Sequence, residues 1–215
     1  MKIKRHLIIL LSSLLTLTAA AQQQQIERRS KIPYAFTEFR DAKVNQPFGR
    51  HTKARVNFRL WDGALCFIDE NDEVRRAYVK NVLSVDIDSV RYLKVDSMFG
   101  EVIATQGYNS LVRVTLIDKK AYGQEVTELN TMAQTGGGAF KWSILELEEK
   151  AKEGYILKDV YYFVLRGRPV MAREGKIKKE VAPEWREAFK TLMGDRWWSW
   201  HDADCLAKLL MYFPK

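Results

Sequence analysis

The stretch Arg55–Ala64, with the sequence RVNFRLWDGA, decides the fold of this protein. Apolar side chains at positions 56, 58 and 60 alternate with polar ones, which predicts a strand with one buried face. Asp62 and Gly63 follow, and an Asp-Gly pair between two such runs favours the turn of a β-hairpin. Ala64–Asp69 is therefore predicted to be the return strand.

Strand patterns of the same kind continue after this hairpin. They are short, rich in β-branched residues and separated by polar turns, at spacings of roughly 8–12 residues. Such a series is typical of an antiparallel meander, a sandwich or a partial barrel. The predicted strands up to residue 117 are Arg55–Leu60, Ala64–Asp69, Val74–Val79, Val82–Ile87, Val90–Val95, Val102–Thr105 and Leu111–Ile117.

A glycine-rich segment interrupts the strand patterns. Residues 118–140 contain Gly123 and the run Gly136–Gly138, which predicts a mobile loop. Further strands are predicted after it, at Trp142–Leu147, Val160–Leu165 and Val170–Ala172.

Residues 183–213 predict two short helices. Pro183 suits a first helical turn, and apolar residues at positions 185, 189, 192 and 193 share one face, so Trp185 is expected in the core. Gly194 favours the end of this helix. The second helix is expected to begin near Ser199, with Asp202 three residues later in a variant of the capping box. The predicted fold class is α+β, mainly β, with these helices at the C-terminus.

The first 21 residues are typical of a secretory signal peptide. A basic start precedes the apolar run Leu7–Leu17, and Ala19–Ala21 provide small residues at the expected cleavage site. We expect a periplasmic or extracellular protein that is not a lipoprotein, because no cysteine lies near the cleavage site. The apolar run is short of the about 20 residues that a spanning helix needs, and no transmembrane segment is predicted in the mature chain.

The predicted organisation therefore has three parts. Residues 1–21 are the signal peptide, residues 22–53 are an N-terminal arm that is partly disordered, and residues 54–215 are a single β-rich domain.

The net charge of +8 comes from 35 Lys and Arg against 27 Asp and Glu. Three of the bases, Lys2, Lys4 and Arg5, belong to the signal peptide, so the mature chain has 32 bases against 27 acids and a charge of +5. This excess is modest, and an exported protein rarely meets nucleic acid, so no nucleic-acid partner is expected. An acidic envelope component suits the charge better.

The chain resembles a family of small exported Gram-negative bacterial proteins of unknown function. The resemblance lies in Val56–Phe67, Tyr78–Ile87, Gly107–Lys120 and the helix junction Leu192–Asp195. It implies a signal peptide, a β-meander and a C-terminal pair of helices. It implies no catalytic residue.

Four of the six tryptophans lie within the last 31 residues. Trp197, Trp198 and Trp200 flank a predicted helix junction and cannot all face the same way. We expect at least one to be packed in the core, while an exposed one would provide a binding surface for a partner or a sugar ring.

A second candidate binding surface is basic. Six bases lie between residues 166 and 179, with Glu174 as the only acid, in what the pattern predicts to be a hairpin. Such a surface binds anionic polymers or headgroups, or it discourages pairing between sheet edges. The six bases are Arg166, Arg168, Arg173, Lys176, Lys178 and Lys179.

Two cysteines and a histidine provide the remaining chemistry. If His201 and Cys205 lie on one helix, their spacing places them on the same face, where they form two ligands of a metal or a thiol–imidazole pair. Alternatively, Cys66 and Cys205 form a disulfide in the oxidising compartment, or both are separately buried thiols. No pattern of metal ligands, phosphate-binding loop or nucleophile elbow occurs, so no cofactor and no catalytic residue are predicted.

These observations favour an exported, non-enzymatic protein that binds an envelope component of unknown identity. The first alternative is a carbohydrate-binding module that uses the C-terminal tryptophans. The second is a small hydrolase or metalloprotein that uses His201 and Cys205.

Overall fold

A computed structural model of the chain describes residues 28–125 and 153–214. Within these residues, eleven antiparallel strands form one sheet that curls into a half-barrel, with short helices toward the C-terminus, which confirms the predicted fold class. The strands are β1 Arg29–Ser30, β2 Arg40–Asn45, β3 His51–Arg59, β4 Ala64–Ile68, β5 Val74–Arg76, β6 Ser84–Ile87, β7 Val90–Val95, β8 Met98–Gln106, β9 Asn109–Ile117, β10 Tyr155–Leu165 and β11 Arg168–Met171.

The strand order across the sheet is β1-β10-β9-β8-β7-β6-β2-β3-β4-β5, and β11 pairs with the C-terminal part of β10. Most neighbours in this order are consecutive in the chain, as a meander predicts. The hairpin of β3 and β4 forms where the Asp62-Gly63 pair predicts it, and β7 has the predicted bounds. The predicted strand Val74–Val79 is shorter than expected, since β5 ends at Arg76.

The sheet begins before residue 54, which corrects the prediction that residues 22–53 form an arm separate from the β-rich domain. Strand β2 lies between β6 and β3 and hydrogen-bonds to both. Its pattern escapes detection because only Ala42 and Val44 are buried, while Arg40, Asp41 and Lys43 are exposed. Strand β1 adds two residues to the edge of β10.

The corner after β3 closes the curl of the sheet. The Leu60 carbonyl accepts a hydrogen bond from the Ile117 amide at 2.8 Å, and the Gly63 carbonyl accepts one from Phe99 at 3.0 Å. Gly63 has a φ of +65°, and a Cβ there would lie 2.8 Å from the Cβ of Met98. Only glycine allows this approach. Strands β3 and β4 thus meet β8 and β9, although three strands separate β3 from β8 in the sheet.

The C-terminal segment contains three short helices: α1 Glu174–Ile177, α2 Arg186–Met193 and α3 Ala203–Lys208. A 3-10 turn at Pro183–Trp185 precedes α2, and another at Leu209–Tyr212 follows α3. The expected start near Ser199 is wrong, because the side chain of Asp202 accepts the Cys205 amide and makes Asp202 the N-cap.

Trp185 is also placed differently from the prediction. It is 39% exposed and packs against Tyr212, with ring centroids 5.3 Å apart. The 3-10 turn before α2 rotates Trp185 away from the stripe, of which Phe189 is the buried member.

The predicted loop over residues 118–140 begins with a helix. Residues 119–125 are helical, and the side chain of Asp118 accepts the amides of Lys120 and Ala121 at their start. The remainder of that loop, the predicted strand Trp142–Leu147 and the signal peptide lie outside the described residues. Within the two described ranges, no helix reaches the length and hydropathy needed to cross a bilayer.

Candidate binding cleft

One row of side chains crosses the sheet and defines its inner face. Directly paired residues of antiparallel strands point to the same side of a sheet. The register pairs each member of the row with the next, from β2 through β6, β7, β8 and β9 to β10. The members are Val44, Val85, Tyr92, Glu101, Arg113 and Tyr161. Apolar residues thus occupy both ends of the row, and charged residues occupy its middle.

Each apolar end belongs to a buried cluster. We call the first the barrel cluster, in which Phe58 of β3 contacts Phe99 of β8 across the curl, with ring centroids 6.0 Å apart. We call the second the helix-covered cluster, because α1, α2 and α3 pack on it. The barrel cluster includes Val44, Val56, Phe58, Leu65, Val85, Ile87 and Phe99. The helix-covered cluster includes Leu111, Tyr161, Phe163, Leu165, Ile177, Phe189, Leu206, Leu209 and Phe213.

A cleft of about 450 Å³ opens on the inner face, where the helices do not reach. This volume is within the range of small-molecule sites. Its wall combines aromatic side chains with charged ones. The lining residues are Arg28, Arg29, Ser30, Tyr34, Ala35, Phe36, Phe58, Leu60, Tyr92, Phe99, Glu101, Arg113, Thr115 and Leu157.

Three aromatic rings form one wall of the cleft. The centroids of Phe58 and Tyr92 lie 4.6 Å apart, and Phe36 is 6.3 Å from each of them. Phe36 and Tyr92 are half-buried, so part of each ring faces the cleft, and the guanidinium of Arg40 lies 4.6 Å from the Phe36 centroid. The wall offers flat apolar surface with tilted rings, a favourable aromatic geometry.

An ion pair lies beside this wall. The Nη2 of Arg113 donates to the Oε2 of Glu101 at 2.7 Å, and both side chains are about one-third exposed, at 31% and 34%. Burial lowers the pKa of Arg113, but the hydrogen bond and charge of Glu101 outweigh it and raise this pKa above its ordinary value. Arg113 is therefore charged at any working pH.

Two further arginines, Arg28 and Arg29, line the cleft. Arg28 donates to Asp159 at 2.5 Å, and the Thr115 hydroxyl donates to the other oxygen of that carboxylate at 2.6 Å. Arg29 contacts the carboxylate of Glu125 through both terminal nitrogens at 3.1 Å. Asp159 and Glu125 are not themselves among the lining residues.

The segment Pro33–Phe36 forms the rim next to the aromatic wall. It extends the line of β2 along the end of β3, where the Ala35 amide donates to the Phe58 carbonyl at 2.9 Å. Asn57, which is 1% exposed, fastens it: its side chain accepts from the Phe36 amide at 3.1 Å and donates to the Phe36 carbonyl at 2.8 Å. The sheet thus holds this rim through backbone hydrogen bonds to β3 and through one buried side-chain amide.

Tyr92 keeps its proton in this environment. Burial raises the pKa of its hydroxyl, the carboxylate of Glu101 adds to this, and Arg40 and Arg113 oppose it. The neutral hydroxyl is able to donate a hydrogen bond at the cleft.

The predicted tryptophan surface is reduced to one residue. Trp197 is 75% exposed, and the guanidinium of Arg196 lies 4.7 Å from its ring centroid. Trp198 and Trp200 pack edge to face, 5.5 Å apart, against the helix-covered cluster.

The six predicted bases lie on several elements rather than on one hairpin. Arg166 and Arg168 belong to the turn and strand of the hairpin of β10 and β11, and Arg168 donates to Glu180 at 2.5 Å. The others surround α1: Arg173 precedes it, Lys176 lies within it, and two follow. Ile177, the last residue of α1, is fully buried in the helix-covered cluster. The last two bases are Lys178 and Lys179, both exposed.

The two cysteines, both within the described ranges, are free thiols in this structure, so the candidate disulfide is not formed. Cys66 lies on β4 opposite Asn57, where burial raises the pKa of its thiol against the opposing charge of Arg59. Cys205 lies in α3, with its Sγ 3.8 Å from the Trp197 carbonyl.

The proposed pairing of His201 with Cys205 on one helical face does not form, because His201 precedes the N-cap of α3. Within residues 28–125 and 153–214, no group of three or more His, Cys, Asp and Glu side chains is placed to hold a metal ion.

Sequence reasoning missed the cleft altogether. Glu101 and Arg113 appear in their strands as polar residues of the solvent face, and the arm that carries Phe36 shows no strand pattern. The available signal was the interruption of apolar alternation in β9, where Arg113 and Thr115 separate Leu111 from Ile117 on one face.

Comparison with known proteins adds no relative to this description. No family model matches the chain, and neither the curated proteins nor the solved structures contain a significant match.

Proposed function

We propose that this protein is an exported, non-enzymatic binding protein of the bacterial cell envelope, and that the cleft on its inner face is its ligand site. Export is supported by the pattern of residues 1–21 and by the resemblance to small exported proteins. The observation that carries the binding proposal is the charged middle of the inner-face row, placed beside an aromatic wall in an open cleft.

Glu101 and Arg113 interrupt the apolar row of the inner face. A sheet face that only had to build a core would continue its apolar row and bury it under helices. Instead, these two charged side chains pair with each other between two apolar clusters and stay about one-third exposed, so this part of the face is left open. A concave site with apolar walls and a few convergent polar groups is typical of ligand binding.

The test is recovery of a bound small molecule. The exported chain is purified, incubated with a small-molecule extract of the envelope and analysed by native mass spectrometry. We expect one adduct of defined mass at one copy per chain.

Two matched variants locate the adduct. Thr115→Phe places a ring in the cleft and abolishes the adduct, whereas Thr52→Phe adds the same ring at an exposed position of β3 and leaves it unchanged. Circular dichroism and thermal melting verify that both variants are folded. An adduct that survives Thr115→Phe, or the lack of any adduct, contradicts the cleft as the ligand site.

A second candidate function is carbohydrate binding through Trp197, favoured by the 75% exposure of its side chain. Arg196 already covers part of that ring, so less surface is free for a sugar. Retention of the protein on envelope polysaccharide, lost in Trp197→Ala and kept in Trp185→Ala, would favour this function over the cleft.

A further inference from the structure

Arg113 has unused hydrogen-bonding capacity at the cleft. A guanidinium carries five N–H donors. Arg113 makes one side-chain hydrogen bond, from Nη2 to Glu101, and its buried Nε has no partner among the described residues. A buried donor without an acceptor is costly, and an acceptor atom brought by a ligand would remove that cost if the side chain turns toward the cleft.

The pairing of the three lining arginines decides which of them has capacity left for a charged ligand. Arg28, Arg29 and Arg113 are the positive lining residues, and Glu101 is the negative one. Arg28 pairs with Asp159, and Arg29 pairs with Glu125 and Glu153, so carboxylates outside the lining already balance these two charges. Arg113, whose Nε has no partner among the described residues, is therefore the group with capacity for an anion, and its planar guanidinium matches a carboxylate, a sulfonate or a phosphate.

The aromatic wall determines the rest of the ligand. Phe36, Phe58 and Tyr92 present ring surface, and none of their carbon atoms can hydrogen-bond. Flat apolar surface is best matched by another flat apolar body, which packs by offset or edge-to-face contact. A polyhydroxylated body is less suited, because the carboxylate of Glu101 is already engaged by Arg113.

Resting on the proposed function, we infer that the cleft takes an amphipathic small molecule with a flat, apolar body against Phe36 and Tyr92 and one anionic group against Arg113. A carboxylate, a sulfonate and a phosphate share the required chemistry. Arg113 anchors the anion, and the aromatic wall holds the body.

Two probes with the same body test the anionic group. Anilinonaphthalene sulfonate carries the anion, and phenylnaphthylamine is the corresponding neutral molecule. Both fluoresce more strongly in apolar surroundings, so titration of the full chain gives a dissociation constant for each. We expect the sulfonate to bind about ten- to a hundredfold more tightly, the factor of a charge-assisted hydrogen bond.

Three variants assign this difference to residues. Arg113→Gln removes the anchor and brings the sulfonate to the affinity of the neutral probe, while the neutral probe is unaffected. Glu101→Gln frees Arg113 from its competitor and tightens binding of the sulfonate. Arg91→Gln, on strand β7 and outside the lining, makes the same charge change and leaves both affinities unchanged.

The outcomes separate this inference from the proposed function. Equal binding of both probes, with loss of both in Thr115→Phe, contradicts the anionic ligand while keeping the cleft as a site. Weaker sulfonate binding in Glu101→Gln contradicts the role of Arg113. If neither probe binds, the ligand class is wrong, and native mass spectrometry with the envelope extract decides separately whether the cleft is a ligand site. Citrate and inorganic phosphate as competitors report whether the anion alone suffices: displacement by either contradicts the need for an apolar body.

Discussion

The helix-covered cluster and the cleft are neighbouring regions of the inner face that share strands and have opposite characters. Strand β9 passes through both: Leu111 lies fully buried under the C-terminal helices, while Arg113, two residues later on the same face, lines an open cleft. In the helix-covered cluster, α2 and α3 bring apolar side chains to cover the sheet. At the cleft, the rim Pro33–Phe36 and the residues of β1 line the sheet face without covering it, and space remains.

This difference shows what covers a sheet face and what keeps it open. The helix-covered cluster is closed because each helix contributes a buried anchor, such as Phe189 in α2 and Leu206 in α3. The cleft stays open because charged side chains stand where the next apolar residues would be. The helix-covered cluster thus adds to the stability of the fold, while the cleft leaves aromatic and charged surface open.

The largest effect is expected in the helix-covered cluster. Phe163 is fully buried and packs edge to face on Phe213, with centroids 4.9 Å apart. Phe163→Ala should lower the free energy of unfolding by about 3–5 kcal/mol. The matched change at the cleft, Phe36→Ala, should cost about 1 kcal/mol, because that ring is half-exposed. Chemical denaturation measures both losses of free energy. Equal losses would contradict the difference between the helix-covered cluster and the cleft.

An intermediate effect is expected at the rim of the cleft. Asn57→Ala removes the buried amide that holds Phe36, so the free energy of unfolding should fall by about 1–3 kcal/mol. Hydrogen exchange of the Ala35 and Phe36 amides should accelerate more than exchange in β9. Asn71→Ala, in an exposed turn, is the control and should change neither quantity. Unchanged exchange at the rim would mean that Asn57 does not hold it.

The smallest effect is expected at the N-cap of α3. Asp202→Ala removes the acceptor for the Cys205 amide, at 2.7 Å, and should cost about 1 kcal/mol at neutral pH. The hydrogen bond from the Cys205 backbone lowers the pKa of Asp202 below its ordinary value of 3.8. Its contribution is therefore present above that pH and is lost as the pH falls through the lowered pKa.

Denaturation curves at neutral and acidic pH test this cap. The stabilities of the wild type and Asp202→Ala should converge in acid. Asp204→Ala removes a carboxylate from the same turn without removing the cap and should not reproduce the pH dependence. A constant difference between wild type and Asp202→Ala at all pH values would contradict the assignment.

Much of the fold was predictable from local patterns. The alternation in β3, β7 and β9 and the Asp62-Gly63 turn identify strands and a hairpin, because the period of side chains along a strand is independent of the rest of the protein. Strand β2 was not predictable, since only two of its residues are buried. The cap at Asp202 was misplaced by three residues, because Ser199 and Asp202 are both good N-cap residues.

The candidate site was less accessible to prediction than the fold. Its residues come from β1, the rim, β3, β7, β8, β9 and β10, and the pairing of Tyr92 with Glu101 and of Glu101 with Arg113 depends on register across three strands. The tryptophans and bases that stand out in the sequence mostly pack on the helices or face solvent.

The amino-acid sequence alone is enough to establish a mainly antiparallel β protein with a helical C-terminus, and it predicts an exported one. These properties follow from local periodicity and composition. The tertiary structure decided that the sheet curls, because that requires the corner at Gly63 to approach Met98. It also decided that charged side chains far apart in the chain meet beside aromatic rings, because strand register and curvature bring them together.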